Sequence, residues 1–272
     1  MFELKISAIP YNIKAGIKMT RDGPLEDIFS DSMEPLLDFT GDREKVREFL
    51  SSLELRGDIQ DLAGEDLSRL STALVLKLLM QGSVAVDSII GEVIRLKREV
   101  VENAFELVQL LNACGNRDLP GLGLALCLRD KSHLAEARNL ANEYKKHILR
   151  EIKILQKEHK DMENIRYLLM ENMESGAVIC GLGIRYLYTD RPLLTLNRKN
   201  EEVKISARGN KLLVANGLDL SLALRKAAEA VGGVGGGHNI ASGASIPQGT
   251  EDKFLAIVDD SVGEQLQGQG RL

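Results

Sequence analysis

The 272-residue chain has no tryptophan, and its aromatic content is 4%. A platform of many stacked rings, one common way of holding single strands, is therefore not expected. It has no apolar run of 18 residues, so no transmembrane helix is expected, and nothing at its start has the pattern of a secretory signal. Three cysteines, Cys114, Cys127 and Cys180, cannot all pair and lack metal-ligand spacing, which predicts buried thiols in a reducing cytoplasm. Histidines number four: His133, His147, His159 and His238. No Asp-His-His, Asp-x-Asp-Gly, His-x-x-x-His or Cys-x-x-Cys occurs. Two-metal phosphodiesterases need several carboxylates and imidazoles converging on ions about 3.5–4 Å apart, so no catalytic or metal-ligating residue is assigned. Asp259-Asp260, the acidic doublet near the C-terminus, is expected to be surface charge. With a net charge of −5 and pI near 5.6, the protein is not expected to coat nucleic acid with its whole surface.

The texture of the chain predicts α/β architecture, a mixed sheet flanked by helices, after a mostly helical unit. The helical unit is placed at 1–95 and the α/β domain at 96–272. Phe2, Leu4 and Ile6 alternate as in a short strand. Thr40-Gly41-Asp42 starts a helix, and Leu67, Leu70, Leu74 and Leu78 continue at helical spacing. An amphipathic helical region is expected from Leu134 to about Leu169, with Lys145, Lys146 and Glu151 on a solvated face and His147 and His159 in water. From Gly176 short strands are expected: Ala177–Cys180, Leu193–Leu196 and Val203–Ala207. A helix from Leu218 to Val231 follows, closed by Gly232-Gly233. Then come a glycine loop, a strand over Asn239–Ile246 and a helix over Phe254–Leu266.

Three stretches can carry chemistry. In Gly235-Gly236-Gly237-His238, residues without a Cβ let backbone N–H groups approach a ligand and form an anion-binding nest, to which His238 adds a donor. The alternative is a glycine-rich turn with a surface histidine. No Gly-Lys-Ser/Thr follows, so the run is not a Walker loop. The second stretch is Lys204-Ile-Ser206-Ala-Arg208. On a strand its two cations and hydroxyl face one side, and a guanidinium can fork onto phosphate; an ordinary half-exposed strand reads equally well. Between Arg185 and Lys226 nine Lys/Arg stand against four Asp/Glu, a positive window in an acidic chain. The third is Asn112-Ala-Cys-Gly115-Asn-Arg117, where Asn112 or Arg117 can reach a ligand from a helix-terminal turn, and where turn chemistry alone is also sufficient.

Together these residues resemble the DHH-associated nucleic-acid-binding domain of the RecJ-like phosphoesterases. Gly235-Gly236-Gly237-His238 is similar to that domain's signature, and Ile205-Ser206-Ala-Arg208 and Asn112-Ala-Cys-Gly115 to its other motifs. The segment from Pro24 to Phe49-Leu50 resembles the region that follows the catalytic domain in archaeal members, the GINS-associated nucleases in particular. The resemblance spans nearly the whole chain but only the family's C-terminal half. It implies a metal-dependent DHH domain ahead of Met1 or supplied in trans, with Mn or Mg bound there and no cofactor in this chain. It also implies contacts from Ser206, Arg208 and His238 to the phosphates of single-stranded DNA or RNA. A non-catalytic scaffold that binds the GINS complex is the alternative. At the third motif the chain departs from the family, with Asn116 intervening before Arg117.

Overall fold

The computed structural model describes residues 11–18, 21–83, 85–86, 89–173 and 175–267, with the backbone alone for 11–16. The strand expected at Phe2–Ile6 lies outside them. The chain divides into two compact units, 1–149 and 150–272. The division falls inside a helix, whereas the domain boundary expected from the sequence lies between residues 95 and 96.

In the first unit, β1 (Tyr11–Ile17) pairs antiparallel with β2, which spans Ile90–Leu96. Between them run α1 (Leu25–Asp31), α2 (Arg43–Ser52) and α3 (Gly64–Met80). Asp42 caps α2 as expected, its carboxylate accepting from the N–H groups of Glu44 and Lys45 at 3.1 and 3.2 Å. Leu70, Leu74 and Leu78 of α3 are fully buried, and Phe29, Phe39 and Phe49 meet ring to ring. Further on, α4 (Ala104–Asn116), α5 (Pro120–Cys127) and the first half of α6 (Leu134–Glu158) close on a cluster of Val101, Leu110, Leu126, Ala137 and Ala141.

Among the described residues the second unit holds a six-stranded mixed sheet, which gives the α/β class the sequence predicts. Its strands are β3 (Lys160–Asp161), β4 (Arg166–Glu171), β5 (Leu193–Lys199), β6 (Glu202–Arg208), β7 (Val234–Gly237) and β8 (Ala241–Pro247). The spatial order is β3-β4-β5-β6-β8-β7, with β4 and β5 parallel and the remaining pairs antiparallel. The helices are α7 (Gly176–Leu182), continued by a π-type turn over Gly183–Leu187, α8 (Lys211–Ala215), α9 (Leu220–Ala230) and α10 (Glu251–Gln267). Asp219 caps the start of α9. At its end Gly232 takes φ +81°, and the N–H groups of Gly232 and Gly233 return to Glu229 and Ala228, the closure expected of the glycine pair.

Several expectations are corrected. The long helix stops at Glu158, and 166–171 is the strand β4. The switch is fixed from a distance, because Asp259 on α10 accepts the N–H groups of Asn164 and Ile165 at 2.8 and 3.0 Å. Asp259 is thus a buried acceptor; only Asp260 is surface charge. Ala177–Cys180 is helical within α7, since a short, uniformly apolar run has no period to separate helix from strand. Lys145 and Glu151 are buried, and His159 is half-buried with its ring 4.6 Å from that of Tyr188. Cys127 is exposed, whereas Cys114 and Cys180 are buried. Among the described residues no helix is long and apolar enough to cross a membrane, and no three His, Cys, Asp or Glu converge as metal ligands.

Candidate nucleic-acid interface

The pleat of β6 sorts its residues. Val203, Ile205 and Ala207 are buried, while Lys204, Ser206 and Arg208 stand on the other face. Opposite residues of an antiparallel pair share a face. Ser206 therefore shares one with Thr195 on β5 and Gly243 on β8, and Gly243 in turn faces Gly236 on β7. Arg208 faces Ala241, and Ala241 exchanges two backbone hydrogen bonds with His238, of 2.9 and 3.2 Å. On the β5 side this face is roofed by α7, where Cys180 Sγ lies 2.7 Å from the Leu193 carbonyl. Burial pushes the Cys180 thiol up to about 12, with the Arg208 charge pulling the other way. Towards β8 and β7 the side chains shrink to Ala241, Gly243 and Gly236.

Arg208 is half-buried. Its Nη1 donates to the Ala207 carbonyl at 2.9 Å, and among the described residues no carboxylate pairs with it. The hairpin tip carrying His238 is tied down at three points. Ser242 Oγ donates to the His238 carbonyl at 2.8 Å, Gly209 N to that of Ile240 at 2.9 Å and Leu220 N to that of Asn239 at 3.0 Å. The exposed His238 imidazole is thereby held at the Arg208 end of the sheet. Two strand spacings, about 10 Å, separate the two backbones, with Ala241 on the strand between them.

The glycine run is not the loop the sequence suggests; it is the edge strand β7. Its N–H groups cannot converge as a nest, because strand amides alternate in direction. The His238–Ala241 pair sets that alternation, so Gly236 bonds to Gly243 while the amides of Gly235 and Gly237 point away from β8. Each glycine has its own structural cause. A Cβ on Gly235 would sit 2.7 Å from the Leu224 carbonyl and 3.1 Å from Ala228 Cβ, so its absence lets α9 lie against β7. Gly237 combines φ +145° with a Cβ position 2.8 Å from the Ala241 carbonyl. At Gly236, φ is +151° and the nearest groups are the Arg225 guanidinium nitrogens, at 3.9 and 4.0 Å.

Arg225 is the residue that motif reading missed. It is exposed on α9, beside the glycine edge, and its only sequence signal is membership of the positive window. Asn112 and Arg117 belong to the other compact unit. Asn112 is exposed within the last turns of α4, a helical position where a turn was expected. Arg117 caps that helix and lies 5.6 Å over the Tyr144 ring.

This geometry can be set beside known proteins. Residues 188–264, from just before β5 into α10, match a known domain model. The match is to the DHHA1 domain. The open face of β6, the hairpin and α9 all lie within this DHHA1 region. An uncharacterized protein of Methanocaldococcus jannaschii is 32% identical over 222 residues, covering 82% of the chain and 48% of the relative. The chain thus spans about half the length of the curated relative it matches. CDC45 from Entamoeba histolytica shares the fold with a TM-score of 0.58 at 11% identity, over 97% of this chain and 60% of that one. RecJ from Thermus thermophilus aligns with a TM-score of 0.49 at 17% identity, over 59% of this chain and 24% of that one.

Proposed function

We propose that the chain is the substrate-holding half of a RecJ-like phosphoesterase, and that its sheet face grips the phosphates of single-stranded nucleic acid, DNA in the first instance. A DHH domain, in cis or in trans, supplies the Mn or Mg chemistry. The observation that carries this reading is Arg208, half-buried and free of any carboxylate among the described residues, beside Ser206 on a face cleared of side chains by Ala241, Gly243 and Gly236. Arg208 takes a phosphate by charge-assisted hydrogen bonds, Ser206 adds a hydroxyl donor, and His238 meets a second phosphate from the hairpin tip. Gly235, Gly236 and Gly237 form the low rim over which the chain passes. The DHHA1 match supports the reading, since it covers these elements.

The test is binding of a labelled single-stranded oligonucleotide as a function of salt. Affinity should fall with salt, and Arg208→Ala and His238→Ala should each weaken it. Affinity that ignores salt, or that survives both substitutions, rejects the site.

A second reading, a scaffold that binds the GINS complex, is favoured by one feature. Leu76, Leu79 and Met80 are 54%, 50% and 82% exposed along one side of α3, an apolar strip of the kind that marks protein contacts. Capture by purified GINS that persists after Arg208→Ala and is lost after Leu76→Asp with Met80→Asp supports it. The two readings are compatible.

A further inference from the structure

The first unit contains a cleft of about 780 Å³ bordered by α1, α4 and α6. Most charges on its wall are matched. Arg43 meets Asp27 at 2.8 Å, Arg138 meets Glu106 at 2.8 Å, and Asp22 is held by Arg95. The exceptions are Lys146 and Glu102, which form no ion pair among the described residues, and a pair of cations that share one carboxylate. Lys145 Nζ and Arg21 Nη2 approach Asp31 at 3.4 and 3.6 Å, both longer than a normal hydrogen bond. The Lys145 side chain is only 9% exposed, and Arg21 Nε is buried without a hydrogen-bond partner among the described residues. Asp31 is thus a single carboxylate between two cations, and of their donors Arg21 Nε is buried with no acceptor among the described residues. Burial drives the Lys145 pKa down, with the neighbouring Arg21 charge pushing the same way and Asp31 pulling against both. Buried donors without acceptors are costly, and proteins rarely keep them without a use.

We propose that this cleft binds a small molecule through an oxyanion head group, phosphate or carboxylate, seated between Lys145 and Arg21. An oxyanion supplies several acceptors at once, and its charge offsets the one cation of the Lys145–Arg21 pair that Asp31 does not balance. The volume is that of a metabolite- or nucleotide-sized ligand. Asn142 and Gln109, also on the wall, offer amides to its uncharged part. The cleft shares no residue with the sheet face of the second unit, and the proposal does not depend on that face.

The experiment is isothermal titration of the full chain carrying Arg208→Ala, which removes the anion contact proposed on the sheet. Inorganic phosphate is the titrant in one arm and succinate in the other. Saturable millimolar binding in at least one arm is expected, and the arm that binds identifies the head group. Lys145→Gln and Arg21→Gln should each weaken it at least tenfold. Arg21 lies at the rim with its side chain 31% exposed, so its substitution keeps the test informative if the buried Lys145 variant fails to fold. No saturable binding in either arm, or binding that both substitutions leave intact, overturns the proposal. Neither result bears on single-strand binding by Arg208.

Discussion

Replacing Arg208 with alanine separates the proposed phosphate grip from every structural role of that side chain. In the folded protein Arg208 makes one hydrogen bond, to its neighbour's carbonyl at 2.9 Å, and no ion pair among the described residues. Losing a half-exposed bond of that kind costs about 0.5–1.5 kcal/mol at most, so the unfolding midpoint should move little. Binding should change far more. A hydrogen bond to a charged partner contributes about 1.5–3 kcal/mol, roughly a ten- to hundredfold loss of affinity. The salt dependence gives a second, independent number. Each phosphate neutralised on a single strand contributes about −0.7 to the slope of log K against log salt. If Lys204 and Arg208 each neutralise one phosphate, the two β6 cations supply a slope of about −1.4, and Arg208→Ala should remove about half of it. Fluorescence anisotropy of a labelled oligonucleotide over a salt series measures both. A tenfold loss with an unchanged slope would show that Arg208 acts through shape and not through a phosphate. An unchanged affinity would refute the reasoning outright.

Three further outcomes follow from the geometry. Gly235→Ala places a Cβ 2.7 Å from a helix carbonyl and should destabilise the protein by about 1–3 kcal/mol in urea denaturation; a neutral result would mean that α9 does not rest on β7 as described. Asp259→Ala leaves the half-buried amide of Asn164 and the buried amide of Ile165 without their acceptor and should cost about 2–5 kcal/mol, read as a lowered melting temperature, whereas Asp260→Ala should be nearly silent. In native alkylation followed by mass spectrometry, Cys127 should be labelled first and Cys180 only after unfolding, because the latter is fully buried and burial holds its thiol at about 12. Early labelling of Cys180 would contradict its burial between α7 and the sheet.

Local signals in the sequence carried the elements whose causes are themselves local. Asp42 before α2 and Gly232-Gly233 after α9 were legible because capping depends on a few adjacent residues. The alternation of β6 was legible because its two faces differ in polarity, which also made Ser206 and Arg208 visible as one row. The elements misread were those whose conformation is set by distant partners. α7 is apolar on all sides, so its sequence has no period. β4 begins where it does because Asp259, ninety-four residues from Ile165, holds the two amides just before it. Lys145 and Glu151 have the composition of a solvated helix face and are buried all the same.

The glycine run shows the same division most clearly. A chain of residues without Cβ atoms fixes only that something must come close or that φ must be unusual, and the sequence determined that much. That the close neighbour is the α9 backbone at Gly235, that the run pairs with β8 as an edge strand, and that Arg225 lies against it were decided by tertiary structure alone. A missing side chain constrains distance and torsion, but the identity of whatever fills the space is written elsewhere in the chain.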